Sequence, residues 1–269
     1  MLHLLKLEWK KFKNNAVVNL FGLMFIITLP TVIFAGKEIK NLPAPLPSNS
    51  IFFNFPTVWD YQGYIGNWLV FFFLGFVVIY IITSEVGFKT MRQNIITGMT
   101  RKGYFLAKLY TIISLSLAAT LLYTIICFLI GAFHAEEFSI SAAFDNNYAI
   151  PRFFLMCMGY LSFGLMIAFL IRKSGIAIFT YISYIIFIEP LIKWNIHFRL
   201  FKNASVNYWP MNTIEDLTPL PLFRYVENIP RQDLDFAFLM PYSHAMLFST
   251  IYILIFIAIA YRSFLKRDI

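Results

Sequence analysis

Residues 66–84 read GNWLVFFFLGFVVIYIITS, a stretch without a single charged side chain. Crossing a hydrocarbon core about 30 Å thick takes roughly 20 helical residues at about 1.5 Å each, so this segment has the length of a transmembrane helix. It shows no strict alternation of apolar and polar positions, which sets aside a barrel strand. Lipid offers no partner to backbone N–H and C=O groups, so the segment must satisfy them internally as a helix. Similar runs occupy 16–35, 108–133, 153–171, 174–192 and 243–261, none with a central Lys or Arg. The reading is an all-α polytopic membrane protein, one domain over 1–269 with six transmembrane helices. Composition agrees: 59% of the residues are hydrophobic, 19% aromatic and 13% charged, where soluble domains carry about 25% charged residues.

Charge sets the expected orientation, because Lys and Arg stay on the cytoplasmic side during insertion. With the N-terminus inside, the cytoplasmic segments hold Lys6, Lys10, Lys11, Lys13, Lys89, Arg92, Arg101, Lys102, Lys108, Arg172, Lys173, Arg262, Lys266 and Arg267, against Glu8, Glu85 and Asp268. Both termini are therefore expected in the cytoplasm. The net charge of +8 follows from topology, and no nucleic-acid partner is implied. A basic start before an apolar run resembles a signal peptide, but the run exceeds the usual core of about 7 to 15 residues, so it reads as the first span. Cys127 and Cys157 fall inside spans and read as small apolar fillers. A bacterial inner membrane is the expected location.

Outside the spans, residues 1–15 place Leu2, Leu5, Trp9 and Phe12 at helical spacing, with Lys6, Lys10 and Lys13 on another face. That pattern fits an interfacial elbow helix leading into span 1, and equally a plain extension of the span. Residues 85–107 form the most patterned cytoplasmic segment; with Lys108 it reads EVGFKTMRQNIITGMTRKGYFLAK. Phe88, Met91, Ile95 and Met99 form one stripe of a short amphipathic helix, with Lys89, Arg92 and Gln93 away from it. Gly98 and Gly103 loosen the chain around Thr100, Arg101 and Lys102, where it turns back into span 3. Three segments face outward: 36–65, expected to be extended because of Pro43, Pro45, Pro47 and Pro56; 134–151, with Glu136, Glu137 and Asp145; and 193–242, a long outer segment rich in aromatics.

Catalytic and metal-binding patterns are missing. There is no GxxxxGK[ST] phosphate loop, no HExxH, no GxSxG and no Cys/His cluster, and His3, His134, His197 and His244 are scattered. No enzyme activity and no cofactor of its own are expected of the chain; if it moves something uphill, the energy must come from a partner or an ion gradient. Glu189, followed by Pro190 near the outer end of span 5, is the one acidic residue placed to serve a translocation pathway; the alternative is an interfacial carboxylate. Ser114, Ser116, Thr120 and Thr124 on span 3 read as hydroxyls bonded to their own backbone.

The 85–108 hairpin resembles the coupling region of ABC-2 type transporter permeases. The matching residues are Glu85, Gly87, Thr90, Arg92, Gly98, Thr100, Arg101 and Lys108, and the likeness extends to an elbow helix before six spans. The resemblance implies a cytoplasmic coupling helix between helices 2 and 3 that receives movement from a soluble nucleotide-binding ATPase subunit. ATP and Mg would sit on that subunit, and a second permease, identical or related, would complete the pathway. It also implies export as the activity. The stripe Phe88, Met91, Ile95 and Met99 is placed either to enter a groove on the ATPase or to pack on the chain's own helices. Glu85 is placed to pair with Arg92 or Arg101, or to cap the surface helix. Competing readings are a gradient-driven transporter or channel working through Glu189, and a membrane scaffold that anchors a cytoplasmic partner.

Overall fold

The structure is a computed structural model that describes residues 2–38, 49–134, 139–223 and 239–266. Pro43, Pro45, Pro47, Glu136, Glu137, Arg267 and Asp268 lie outside the described residues. Within them the chain is helical, without strands, and six helices are long and apolar enough to cross a membrane.

In chain order these elements are α1 (Leu2–Phe12), α2 (Ala16–Thr31), α3 (Val58–Gly87), α4 (Thr90–Ile96), α5 (Arg101–His134), α6 (Ala149–Ile171), α7 (Ser174–Phe201), α8 (Pro210–Glu215) and α9 (Tyr242–Lys266). Asn15 separates α1 from α2 and caps the latter, its side-chain oxygen accepting from the amides of Val17 and Val18. Helix α6 is the central element. Residues from Arg152 to Phe169 are almost all buried, α9 makes its most extensive contact with it, and α3, α5 and α7 surround it. Around this centre, Leu20, Leu23 and Ile27 on α2, Leu117, Leu121 and Ile125 on α5, and Leu247 and Leu254 on α9 are exposed. An apolar outer shell over a packed interior is what lipid as solvent requires.

Several helices run past their apolar stretches. The segment 36–65, expected to be extended, is helical from Val58, and 3-10 turns occupy Val32–Glu38 and Asn49–Phe52. Its polar residues find protein partners: Gln62 donates to the Leu29 carbonyl, and Asp60 meets Arg152. Helix α7 continues through Pro190 to Phe201, taking the start of what reads as outer segment 193–242. Proline cannot donate to the carbonyl four residues back and crowds it. Here the helix widens into π turns at Tyr184–Ile188 and Ile192–His197, on both sides of the proline, and carries on. A third π turn spans Val70–Leu74 in α3, where the Phe71 carbonyl accepts from the Tyr181 hydroxyl.

We call the end carrying α1 and α4 the hairpin end, and the opposite one the far end. At the far end Arg152 is 1% exposed. Its guanidinium reaches Asp60 at 3.0 Å, Asn146 Oδ1 at 3.1 Å and the Leu217 carbonyl at 3.4 Å, and lies 3.6 Å over the Tyr242 ring. It thereby joins the starts of α3, α6 and α9. Removing one partner of a buried pair strands the other, at about 3 to 5 kcal/mol. Asp60 keeps some contact with solvent, so Arg152→Ala is expected to cost about 3 kcal/mol, read as a lower unfolding midpoint in detergent with the hairpin end intact to proteolysis.

Candidate functional site

At the hairpin end, four ionisable side chains converge from three helices. Lys108 on α5, 1% exposed, meets Glu85 of α3 at 2.7 Å and Glu8 of α1 at 2.5 Å. Lys11 bridges the same two carboxylates at 2.9 and 3.2 Å, and the Tyr104 hydroxyl donates to Glu85 at 2.6 Å. Phe12 and Tyr104 place their rings 5.3 and 5.2 Å from the Lys108 ammonium. Burial alone would lower the Lys11 pKa, but the Glu85 and Glu8 carboxylates outweigh it and hold it above the ordinary lysine value.

Above this cluster sits the 88–100 hairpin. Lys89 takes a left-handed conformation (φ 58°) to leave α3 and start α4. Gly98, at φ 110°, ends α4 in a conformation that side chains resist. Around it the Met99 amide bonds to the Asn94 carbonyl and the Gly98 amide to that of Ile95, which is the Schellman pattern. Thr100 then accepts from the Gly103 amide and opens α5. Of the apolar stripe, Met91 is buried, and Ile95 and Met99 pack against the core. The chain's own helices use that face. Phe88 (77% exposed) and Ile96 (75%) look outward beside Lys89, Arg92 and Gln93. Gly87 is exposed, and Thr90 bonds back to the Glu85 carbonyl. Arg101 donates to the Leu265 carbonyl at 2.9 Å, holding the end of α9. Glu85 thus goes to Lys108, Lys11 and Tyr104, and not to Arg92, Arg101 or the start of α4.

At the far end, Glu189 is 2% exposed and accepts from the amides of Met211 and Asn212 at 2.7 and 2.9 Å. These are free donors in the first turn of α8, where a carboxylate is favoured. Helix α8 is in turn pressed into the bundle: a Cβ on Gly159 would lie 2.8 Å from Ile214, and Ser249 donates to the Thr213 carbonyl. Beside it lies a cavity of about 340 Å³ between α3 and α7, walled by Tyr64, Asn67, Trp68, Phe71, Tyr160, Ile185, Lys193, Trp194, Glu215, Asp216 and Phe223. Glu189 is not part of its lining; it stands behind α8 and holds that helix in place.

Glu215 is exposed and lines this cavity. Desolvation, followed by the Glu189 charge, pushes its carboxyl up to about 7; Lys193 opposes and Asp216 adds to the rise. The sequence singled out neither Glu215 nor the cluster members Glu8 and Lys11. The i, i+3 spacing of Glu8 and Lys11 was the available signal for the latter. Cys127 and Cys157 are buried free thiols. Thr120 and Thr124 bond to carbonyls four residues back, Ser116 and Thr120 respectively. Among the described residues no group of His, Cys, Asp or Glu could hold a metal ion.

Two measurements check these sites. Lys108→Met leaves Glu8 and Glu85 with Lys11 as their remaining shared cation, two buried carboxylates against one ammonium, and is expected to lower stability by about 3 kcal/mol by detergent melting. Glu215, with a folded pKa above its unfolded value, binds more protons folded than unfolded between about pH 4.5 and 7. Its contribution therefore makes stability fall as pH rises through that window and level off above it. Glu215→Gln is expected to reduce the slope measured in that window. Comparison with known proteins leaves both sites to be read from their own chemistry: no protein-family model matches the chain, and no curated protein matches it.

Proposed function

We propose that this chain is the membrane-spanning half of an ATP-driven exporter of the ABC-2 type, energised by a separate nucleotide-binding ATPase subunit. The observation that carries this reading is the ion cluster beneath an exposed hairpin tip. A soluble motor needs a stiff element through which to move membrane helices. In this reading α4 is the coupling helix, and the tip Phe88, Lys89, Arg92 and Ile96 is the docking surface. Glu85 and Lys108, immediately behind it, pass a push on the tip to α3, α5 and α1 together. Helix α1 is then the elbow, lying along the cytoplasmic interface with Lys6, Lys10 and Lys13 toward lipid headgroups. Both termini face the cytoplasm of a bacterial cell, and a second permease, identical or related, completes the pathway. ATP and Mg belong to the partner.

The gradient-driven alternative placed its ionisable group at Glu189. One oxygen of that carboxylate, Oε1, accepts from both α8 amides and so holds α8, while Oε2 is buried without a hydrogen-bond partner among the described residues. In this reading the exposed Ile96, and not its packed neighbour Ile95, belongs to the docking surface.

Purification in mild detergent from the native host tests the proposal. A nucleotide-binding subunit is expected to accompany the wild type and to be lost, at least about tenfold, from Arg92→Glu/Ile96→Asp with unchanged thermal stability. Absence of any ATPase from wild-type preparations that retain other membrane complexes would end this reading.

A further inference from the structure

The cavity between α3 and α7 has more structure than packing alone requires. Its volume of about 340 Å³ falls in the range of small-molecule sites, about 300 to 1,000 Å³. Its walls are aromatic: Trp68 and Phe71 from α3, Tyr160 from α6, Trp194 from α7. Trp68 is half exposed at 51%, and Ile186 is 37% exposed, so the mouth opens between α3 and α7 toward the molecule's apolar outer surface. All three π turns contribute to the lining, through Phe71, through Ile185 and Ile186, and through Lys193 and Trp194. A π turn is a costly departure from α geometry that recurs at functional sites.

The charges in and behind this wall are unequal. Asp216 accepts from Asn212 Nδ2 at 3.0 Å and the Met240 amide at 3.1 Å. Glu189 is held by the α8 amides. Among the described residues the cation of this wall is Lys193, which is turned to Asn212 Oδ1 and lies 4.8 Å from the Trp194 ring. Glu215 makes no hydrogen bond or ion pair through its carboxylate among the described residues, and faces the open volume. Helices α3 and α6 present only neutral groups here: Tyr64, Asn67 and Tyr160. Among the described residues the acidic groups of this wall, Glu215 and Asp216 with Glu189 behind, outnumber Lys193, which favours a cation over an anion. A hard metal ion would need about six or more oxygen ligands, and no such group exists among the described residues. What fits is a diffuse positive charge on an apolar body, attracted by the carboxylate and by aromatic faces together.

We propose that this cavity binds an organic cation with an aromatic or alkyl body, its charge set against Glu215. The proposal deepens the exporter reading by naming a substrate class, and rests on that reading only for transport; binding itself needs no ATPase. A bound cation favours the ionised Glu215 and so displaces a proton near neutrality, which makes affinity rise with pH.

The test uses the purified full chain in detergent, with Trp68 and Trp194 as reporters. Tetraphenylphosphonium is the probe, and tetraphenylborate, nearly the same shape with opposite charge, is the control. Saturable quenching by the cation alone is expected, largely lost in Trp68→Phe/Trp194→Phe. Affinity should weaken at least about tenfold in Glu215→Gln and rise more steeply between pH 6 and 8 in the wild type than in that variant. Equal binding of the two ions by wild type, or an unchanged affinity in Glu215→Gln, would overturn the proposal. Because no partner subunit is present, a negative result here leaves the ATPase co-purification result standing, and the converse also holds.

Discussion

A lysine ammonium with 1% exposure on a helix apolar enough to span a membrane is tolerated only where its charge is matched. Lys108 finds that match in two carboxylates from two other helices, Glu8 and Glu85. Lys11 then balances the second carboxylate. Two cations and two anions are therefore satisfied in one arrangement, and sliding any of α1, α3 or α5 by a turn would leave a buried charge without a partner. Buried ion pairs add little net stability, since desolvation consumes the Coulombic gain. What this one supplies is registry: it fixes how α1 lies against the bundle and how far α3 and α5 project before the hairpin turns.

The far end uses the same device with different chemistry. Arg152 gathers the starts of α3, α6 and α9, and Glu189 receives the first amides of α8. Between the two ends the core is α6, whose Gly159 allows α8 to approach about ten residues, or roughly 15 Å, inside its far end. Polar backbone at that depth has to be satisfied by protein. Glu189 and Ser249 do so for α8, and this is why a carboxylate sits buried near a helix end.

Six apolar helices were legible because their signal is local: length, hydropathy and absence of charge lie within about 20 consecutive residues. The hairpin was legible for the same reason, with Gly98 and Thr100 marking its turn. Pairings were not. Glu8 and Lys108 are 100 residues apart in the chain, and both had been counted as topological charge. Periodicity showed that Phe88, Met91, Ile95 and Met99 share a face, but which way the face points depends on what α3 and α5 place beneath it. Pro190 suggested a kink or an end to its helix. The π turns that carry α7 past it depend on tertiary contacts, such as those of Ile185 in the core and Lys193 with Asn212.

Helix α3 links the two ends. Glu85 lies at its hairpin end, and Tyr64, Asn67, Trp68 and Phe71 form one wall of the cavity about 25 Å away along the axis. The π turn at Val70–Leu74 lies at the edge of that wall, where the hydrogen-bond ladder is already interrupted and Tyr181 holds the displaced Phe71 carbonyl. A regular helix transmits displacement along its axis, and a widened turn is where a bend costs least. A push on the hairpin would therefore travel through the segment Gly75–Gly87 as a rigid piece and be released as a change of angle beside Trp68 and Phe71. Helix α7 would not follow, because the Glu189 contact with α8 ties its far half to the opposite wall. In the exporter reading, the cavity would then change width between α3 and α7, with Glu215 staying with the α8 side while the aromatic wall on α3 moves.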